Sequence, residues 1–401
     1  MATTTLEIVK AEDVGLSPVR LRRIDETMRR LVDQQRFAGV VTLVARHGRI
    51  AYFEATGLMD REAGRPMKRD AIFRIASMTK PITCVATMML FEEGRFLLDD
   101  PIADFIPEFA NTKVFERETS NGLELADLDR PITIRHLLMH TSGISYGWSA
   151  APPVTLMYQD ADIGRSDEVL AEKVGRLAAL PLNHQPGSGW TYGFSHDVLG
   201  RLLEVISGQP LDVFLKEKVL DPLEMTETGF HIPKQNLDRV ATVYTAAEGG
   251  GILRADRPDP DRSKPPVFLM GGGGLVSTAT DYAKFCQMLL NGGVLGDVRL
   301  LGRKTVELMT SNHTGVKSPF GPDFPISAGY GYGLGFMVLI DAARSDAGGS
   351  LGAYGWGGAQ STHFWVDPVE DFFGIVMLQL EPFTPRYGRI VQSLAYQTLV
   401  V

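Results

Sequence analysis

Apolar positions in this chain follow two different periods. Leu21, Ile24, Met28, Leu31 and Val32 fall at helical spacing, on one face of a helix that Ser17 caps and Pro18 opens. The runs 40–45 and 50–53 are rich in β-branched and aromatic residues. They flank Arg46-His47-Gly48-Arg49, a pattern that predicts an antiparallel hairpin. From Ser77 to about Asn291 the pattern changes to helices and long loops. Helices are predicted over 82–93, 134–139, 197–206 and 281–290, three of them stopped by Gly94, Gly208 and Gly292. Proline-rich connections lie at Ala151-Pro152-Pro153 and Arg257-Pro258-Asp259-Pro260. Strand patterns return at 335–340, 362–366 and 372–378, and a last helix carries Tyr387, Ile390, Val391, Leu394 and Ala395 on one face.

Strands near both ends with helices between them predict an α+β architecture. One antiparallel sheet with flanking helices is assembled from residues 1–75 and 296–401, and a mostly helical domain is inserted at 76–295. Any site is expected in the cleft between them. Long loops inside a compact domain suit the walls of such a cleft.

Composition narrows the function. The chain has 401 residues, 44% hydrophobic and 22% charged, enough for a large core. A net charge of −8 and a pI near 5.6 leave no basic stripe for nucleic acid. The two cysteines, Cys84 and Cys286, form neither a metal spacing nor a disulfide framework. No run is long and apolar enough to cross a bilayer, and the first residues carry no basic-then-apolar leader, so a cytoplasmic protein is expected. The expected partner is a small molecule, not nucleic acid or membrane; the oligomeric state is unknown from the sequence.

Candidate chemistry centres on Ile75-Ala76-Ser77-Met78-Thr79-Lys80-Pro81. Positions i and i+3 share a helix face, so the Lys80 amine reaches the Ser77 hydroxyl. Pro81 is tolerated only in a first turn, which starts the helix at or just before Ser77. A competing candidate is Gly143-Ile144-Ser145-Tyr146-Gly147, which matches the nucleophile-elbow pattern G-x-S-x-G. That elbow needs a strand before the serine and a helix after it. Here a helical run precedes it, and a loop with Trp148 and Pro152-Pro153 is expected to follow. Gly187 to Ser195 describes a tight loop presenting Trp190 and Tyr192 ahead of a helix, which offers Tyr192 as a proton acceptor near Ser77. Tyr354-Gly355-Trp356-Gly357-Gly358-Ala359 lets backbone N–H groups approach a ligand, as an oxyanion requires. The Gly271–Gly274 run lacks the ending of a phosphate loop, and His136 and His140 lack an acidic partner for zinc. Neither a metal nor a cofactor is expected.

The order of these stretches resembles the serine β-lactamase-like superfamily: Ser77-x-x-Lys80, Leu137-Leu138-x-His140-Thr141-Ser142-Gly143, the Tyr192 loop, then Trp356-Gly357-Gly358 before a strand. This group includes class C β-lactamases, penicillin-binding carboxypeptidases and family VIII carboxylesterases. Ser-Met-Thr-Lys-Pro and the later Trp-Gly-Gly look most like the esterase branch. The resemblance implies that Ser77 forms the acyl-enzyme and that Lys80 and Tyr192 share the general-base role. It implies an oxyanion hole from the backbone N–H groups of Ser77 and Ala359. Trp356, Gly357, Gly358, Phe194 and Tyr146 are expected to contact substrate. Penicillin-recognising members usually carry Lys-Thr-Gly where this chain has Trp356-Gly357-Gly358, and Tyr-x-Asn where it has Phe194. Both changes favour a short-to-medium acyl ester over a β-lactam. Cephalosporin hydrolysis, acyl transfer and amide hydrolysis stay open on the same machinery. A non-catalytic ligand-binding protein would be marked by loss of Ser77, Lys80 or Tyr192, and all three are present.

Overall fold

The computed structural model describes residues 6–120, 122–148, 152–164, 167–256, 262–315, 319–320 and 328–400. The predicted hairpin is present. Strand β1 (Gly39–Arg46) turns at His47 and Gly48 into β2 (Arg49–Asp60), with φ of 53° and 71° at the two turn residues. Positive φ at both central positions is the turn whose twist matches that of the strands it joins. Strand β3 (Arg65–Pro66) extends this edge. The rest of the sheet comes from the far end of the chain: β4 (Tyr330–Tyr332), β5 (Met337–Leu339), β6 (Tyr354–Gly357), β7 (His363–Asp367) and β8 (Phe372–Leu378). The order is β4-β5-β6-β7-β8-β1-β2-β3, and each pairing is antiparallel. Val40 lies opposite Leu378, so the sheet closes between the two ends of the chain.

Helices α1 (Pro18–Asp33), α2 (Thr79–Glu92), α3 (Ser195–Ser207), α4 (Ala279–Leu290) and α5 (Arg386–Tyr396) frame the sheet and the site. Ser17 accepts the Arg20 N–H, as expected of a capping hydroxyl, an interaction typically worth about 1 kcal/mol. The apolar faces of α1 and α5 cluster with Val40, Val44, Trp365 and Val376 on one side of the sheet. Val41, Leu43, Phe364 and Ile375 point to the other side, where α4 packs with Tyr282 5.0 Å from the Phe364 ring. Every residue of β1 is buried because both faces are covered. The predicted helices and C-terminal strands are present, with ends shifted by at most three residues.

The middle of the chain holds more strand than the sequence reading expects. Val114–Thr119 pairs with Gly122–Ala126, and Tyr244–Ala246 pairs with Ile252–Arg254. Their side chains are mostly exposed or half-buried, so no alternating apolar signal marks them. Residues following Ser145 also differ: Pro152–Asp160 is a helix, with its two prolines in the first turn where proline fits. Ala151 and residues 257–260 of the proline-rich connections lie outside the described residues. Among the described residues no helix is long and apolar enough to cross a membrane.

Candidate active site

The site is built around the entrance to α2. The chain arrives through the two-residue strand Phe73–Arg74, paired with Val276–Ser277, and the Ile75 N–H donates to the Leu275 carbonyl at 3.1 Å. Ala76 then adopts φ +42°, a left-handed conformation that costs a non-glycine residue roughly 1–3 kcal/mol. Its neighbours hold it there. The Tyr282 hydroxyl donates to the Met78 carbonyl at 2.9 Å, and the Leu275 N–H donates to Thr79 Oγ1 at 3.2 Å. Gly358 approaches so closely that a Cβ on it would stand 2.4 Å from the Ile75 carbonyl oxygen. Ser77 therefore sits in a 3-10 turn, Ala76–Met78, that leads into α2, and Pro81 is the third residue of that helix.

Three side chains converge on the Ser77 hydroxyl or its neighbour. Tyr192 donates its phenol O–H to Ser77 Oγ at 2.7 Å. Lys80 Nζ contacts Ser77 Oγ at 3.1 Å, the Tyr146 hydroxyl at 3.0 Å and the Gly272 carbonyl at 2.6 Å. A neutral amine fills this set by donating two N–H bonds and accepting one O–H, and the ammonium it becomes on taking a proton donates to all three oxygens. Lys80 is fully buried, and its Nζ lies 4.6 Å from the Tyr192 ring centroid and 5.3 Å from that of Tyr146. Burial and the charge of Asp197 push the Tyr146 phenol well above its ordinary range, so it stays a neutral hydroxyl. This hydroxyl is therefore a partner of Lys80, whereas the sequence reading expects Tyr146 against substrate. Its half-buried ring stacks on Trp148 at 5.8 Å, and Trp148 is 62% exposed.

The other predicted residues surround this centre unevenly. Phe194 is 5% exposed and packs edge-on to Tyr146 at 4.5 Å, just before α3. Trp356 is 3% exposed, with its ring 5.8 Å from that of Tyr192 and 5.2 Å from that of Tyr332. Its ring thus lies within an aromatic cluster that backs Tyr192. Gly357 ends β6, Gly358 abuts Ile75, and Ala359 is exposed in the turn between β6 and β7. The Ala359 N–H donates to no backbone carbonyl among the described residues.

Ser145 behaves differently from Ser77. It is fully buried, and its Oγ accepts the Gly147 N–H at 2.9 Å in a local turn. A helix and a loop lead up to it, so the strand-turn-helix context of an elbow is missing. His136 caps the helix Ile134–Leu138 through the Thr133 N–H, and no group of possible metal ligands occurs among the described residues.

Three further features were not anticipated. The Gly272 carbonyl accepts from Lys80, and the Asp197 carboxylate accepts the Gly272 N–H at 3.2 Å. The rings of His140 and His196 lie 4.4 Å apart and tilted, with His140 against Tyr192, and burial pushes both imidazoles well below their ordinary range. A run of four glycines was the available signal for the first, because a Cβ on Gly272 would stand 2.8 Å from Asp197 Oδ2 and 3.0 Å from the Tyr146 hydroxyl. Asp197 and His196 had no separate signal inside an amphipathic helix.

Comparisons with known proteins agree with this arrangement. The family model described as Beta-lactamase matches residues 24–396. Protein Rv1367c of Mycobacterium tuberculosis is 37% identical over 88% of each chain. Esterase EstB of Burkholderia gladioli is 32% identical over 86% of each chain. The structure of EstCE1, described as a hydrolase with promiscuous acyltransferase activity, superposes with a TM-score of 0.80 at 28% identity, covering 94% of this chain and 99% of its own. The chain is therefore a serine hydrolase of the beta-lactamase family.

Proposed function

We propose that the protein is a carboxylesterase acting on short-to-medium acyl esters through a Ser77 acyl-enzyme. The observation that carries the reading is that one hydroxyl, Ser77 Oγ, is held at 2.7 Å by a phenol and 3.1 Å by a buried amine. A serine hydroxyl becomes a nucleophile when an adjacent base takes its proton. Ser77 Oγ attacks the ester carbonyl while its proton passes to the Lys80–Tyr192 pair. The backbone N–H groups of Ser77 and Ala359 receive the negative charge on the carbonyl oxygen. The same pair returns the proton to the departing alkoxide, and water then repeats the sequence on the acyl-enzyme. Phe194 and Trp356 supply neither an amide nor a cation, which suits an uncharged ester better than a β-lactam carboxylate.

Residues 76–295 as a helical domain against the sheet domain of 1–75 and 296–401, with this site in the cleft between them, belong to the same reading. So does a cytoplasmic setting, which the unpaired, buried Cys84 and Cys286 suit. Acyl transfer to an alcohol is a second reading, favoured by the likeness to EstCE1. It differs only in what resolves the acyl-enzyme. The test of the shared step is intact mass after treatment with a p-nitrophenyl phosphonate. A single adduct located on Ser77 is expected, and an adduct on Ser145 would replace the assignment.

A further inference from the structure

Asp197 lies in the first turn of α3 and is 1% exposed. Its Oδ1 accepts the Gly272 N–H at 3.2 Å, and its Oδ2 has no hydrogen-bond partner among the described residues. Gly272 then turns its carbonyl to Lys80 Nζ at 2.6 Å. One residue thus presents its N–H to a buried carboxylate and its C=O to a buried amine. A side chain at this position is ruled out by space, since a Cβ would stand 2.8 Å from Asp197 Oδ2 and 3.0 Å from the Tyr146 hydroxyl. The neighbouring Gly271 carbonyl is fixed in the same way, accepting from Thr83 Oγ1 of α2 at 2.7 Å.

Charge balance assigns this carboxylate to Lys80. A buried ammonium is strongly penalised without a counter-charge, and the three partners of Lys80 Nζ are neutral oxygens. The other buried cation near Asp197 is Lys173, at 1% exposure. It shares the Glu168 carboxylate with Arg176, at 4.0 Å and 2.8 Å respectively, and donates to the Ile163 carbonyl at 2.7 Å. Of the two buried cations Lys80 acts on the Asp197 carboxylate the more strongly, so Asp197 is the negative charge that faces it.

We propose that Asp197 is a positioning residue for Lys80: its carboxylate aims the Gly272 carbonyl at Nζ and stabilises the ammonium formed when Lys80 receives the Ser77 proton. The proposal rests on the Ser77–Lys80–Tyr192 reading and extends it by one residue. The proton leaves Ser77 Oγ, resides on the Lys80–Tyr192 pair and goes to the departing alkoxide. Asp197 neither takes nor gives it.

The carboxylate also gives the effect a pH signature. Burial pushes the Asp197 carboxyl up to about 6, against the opposing pull of Lys80. Lys80, Lys173 and Tyr146 act on it directly, and Cys84, His140 and His196 in turn flank Lys80. Burial keeps Cys84 and Tyr146 protonated and neutral, and His140 and His196 unprotonated and neutral. The charge of Asp197 is therefore present above about pH 6 and lost below it.

Asp197→Asn tests this, because the amide oxygen still accepts the Gly272 N–H while the charge is removed. With p-nitrophenyl butyrate at pH 8, kcat should fall about 10- to 100-fold, less than the roughly 100- to 1000-fold of a donor that touches the reacting atoms. The ratio of wild-type to variant kcat should close toward one as pH falls through about 6, where the wild type loses the same charge. A ratio equal at pH 5 and pH 8, or a variant within twofold of wild type at pH 8, overturns the proposal. If the variant does not fold, the wild type decides alone: phosphonate labelling of Ser77 must slow as pH drops through about 6, and a flat rate overturns the proposal. Absence of any Ser77 adduct in the wild type would instead remove the acyl-enzyme reading beneath it.

Discussion

Replacing Tyr192 with phenylalanine removes one oxygen and little else. That oxygen lies 2.7 Å from Ser77 Oγ, and the ring that carries it is held by packing that phenylalanine reproduces. Trp190 stacks on it at 5.8 Å, Tyr146 meets it edge-on at 5.4 Å, and His140 lies 4.7 Å away. The fold should therefore lose at most the net worth of one hydrogen bond, about 1 kcal/mol. Catalysis should lose far more. A positioned proton-transfer group contributes roughly 100- to 10,000-fold. Lys80 remains 3.1 Å from Ser77 to carry part of the task, so the lower part of that range applies. The expected fall in kcat is about 100- to 1000-fold, or about 3–4 kcal/mol of barrier. KM should change little, because the phenol acts on the moving proton and not on the resting substrate. Steady-state hydrolysis of p-nitrophenyl butyrate, with a thermal melt as control, measures both. A variant that keeps a third of wild-type kcat with an unchanged melt would take Tyr192 off the proton path and leave Lys80 as the sole base.

Three other outcomes are expected. Ser145→Ala should retain most esterase activity while losing about 1 kcal/mol of stability, since its buried hydroxyl accepts the Gly147 N–H in a local turn; an inactive but folded variant would restore Ser145 as a nucleophile. A chromogenic cephalosporin should be turned over far more slowly than p-nitrophenyl butyrate, and comparable kcat/KM values would count against the ester reading. His363 should make the fold acid-sensitive. Burial lowers its imidazole from 6.5 to about 4, so the unfolded chain binds its proton first, and stability present above pH 6.5 drains away as pH falls toward 4. The full effect is about 3 kcal/mol, and the melting temperature of His363→Gln should decline less steeply over that window than that of the wild type.

The elements with strong local rules were readable. The Ser17-Pro18 helix start, the hairpin across His47-Gly48 and the all-apolar strand Phe372–Leu378 each rest on chemistry within a few neighbours. So did the pairing of Ser77 with Lys80, because helix geometry brings residues three apart together. Residues joined only by tertiary packing were harder. Tyr192 was proposed because its loop presents rings, but the 2.7 Å contact spans 115 positions. Tyr146 was expected against substrate because nothing local reveals that its hydroxyl turns inward to Lys80. The Gly271–Gly274 run lacks the ending of a phosphate loop, and no local rule announces that its carbonyls serve Lys80 and Thr83. The hairpin at Val114–Thr119 escaped because its exposed faces carry no apolar period.

The way the sheet closes also governs how the protein is made. Val40 finds its partner Leu378 only after about 340 further residues have been synthesised, which at roughly 5–20 residues per second takes on the order of 20–70 seconds. Throughout that interval the nascent β1–β2 hairpin carries an uncapped edge of eight residues that the finished protein buries completely. An apolar edge of that kind readily recruits strands from other chains. Yield of active enzyme in a cell should therefore depend on holding that edge apart until the last strands emerge, and slower translation late in the message should favour aggregation over assembly.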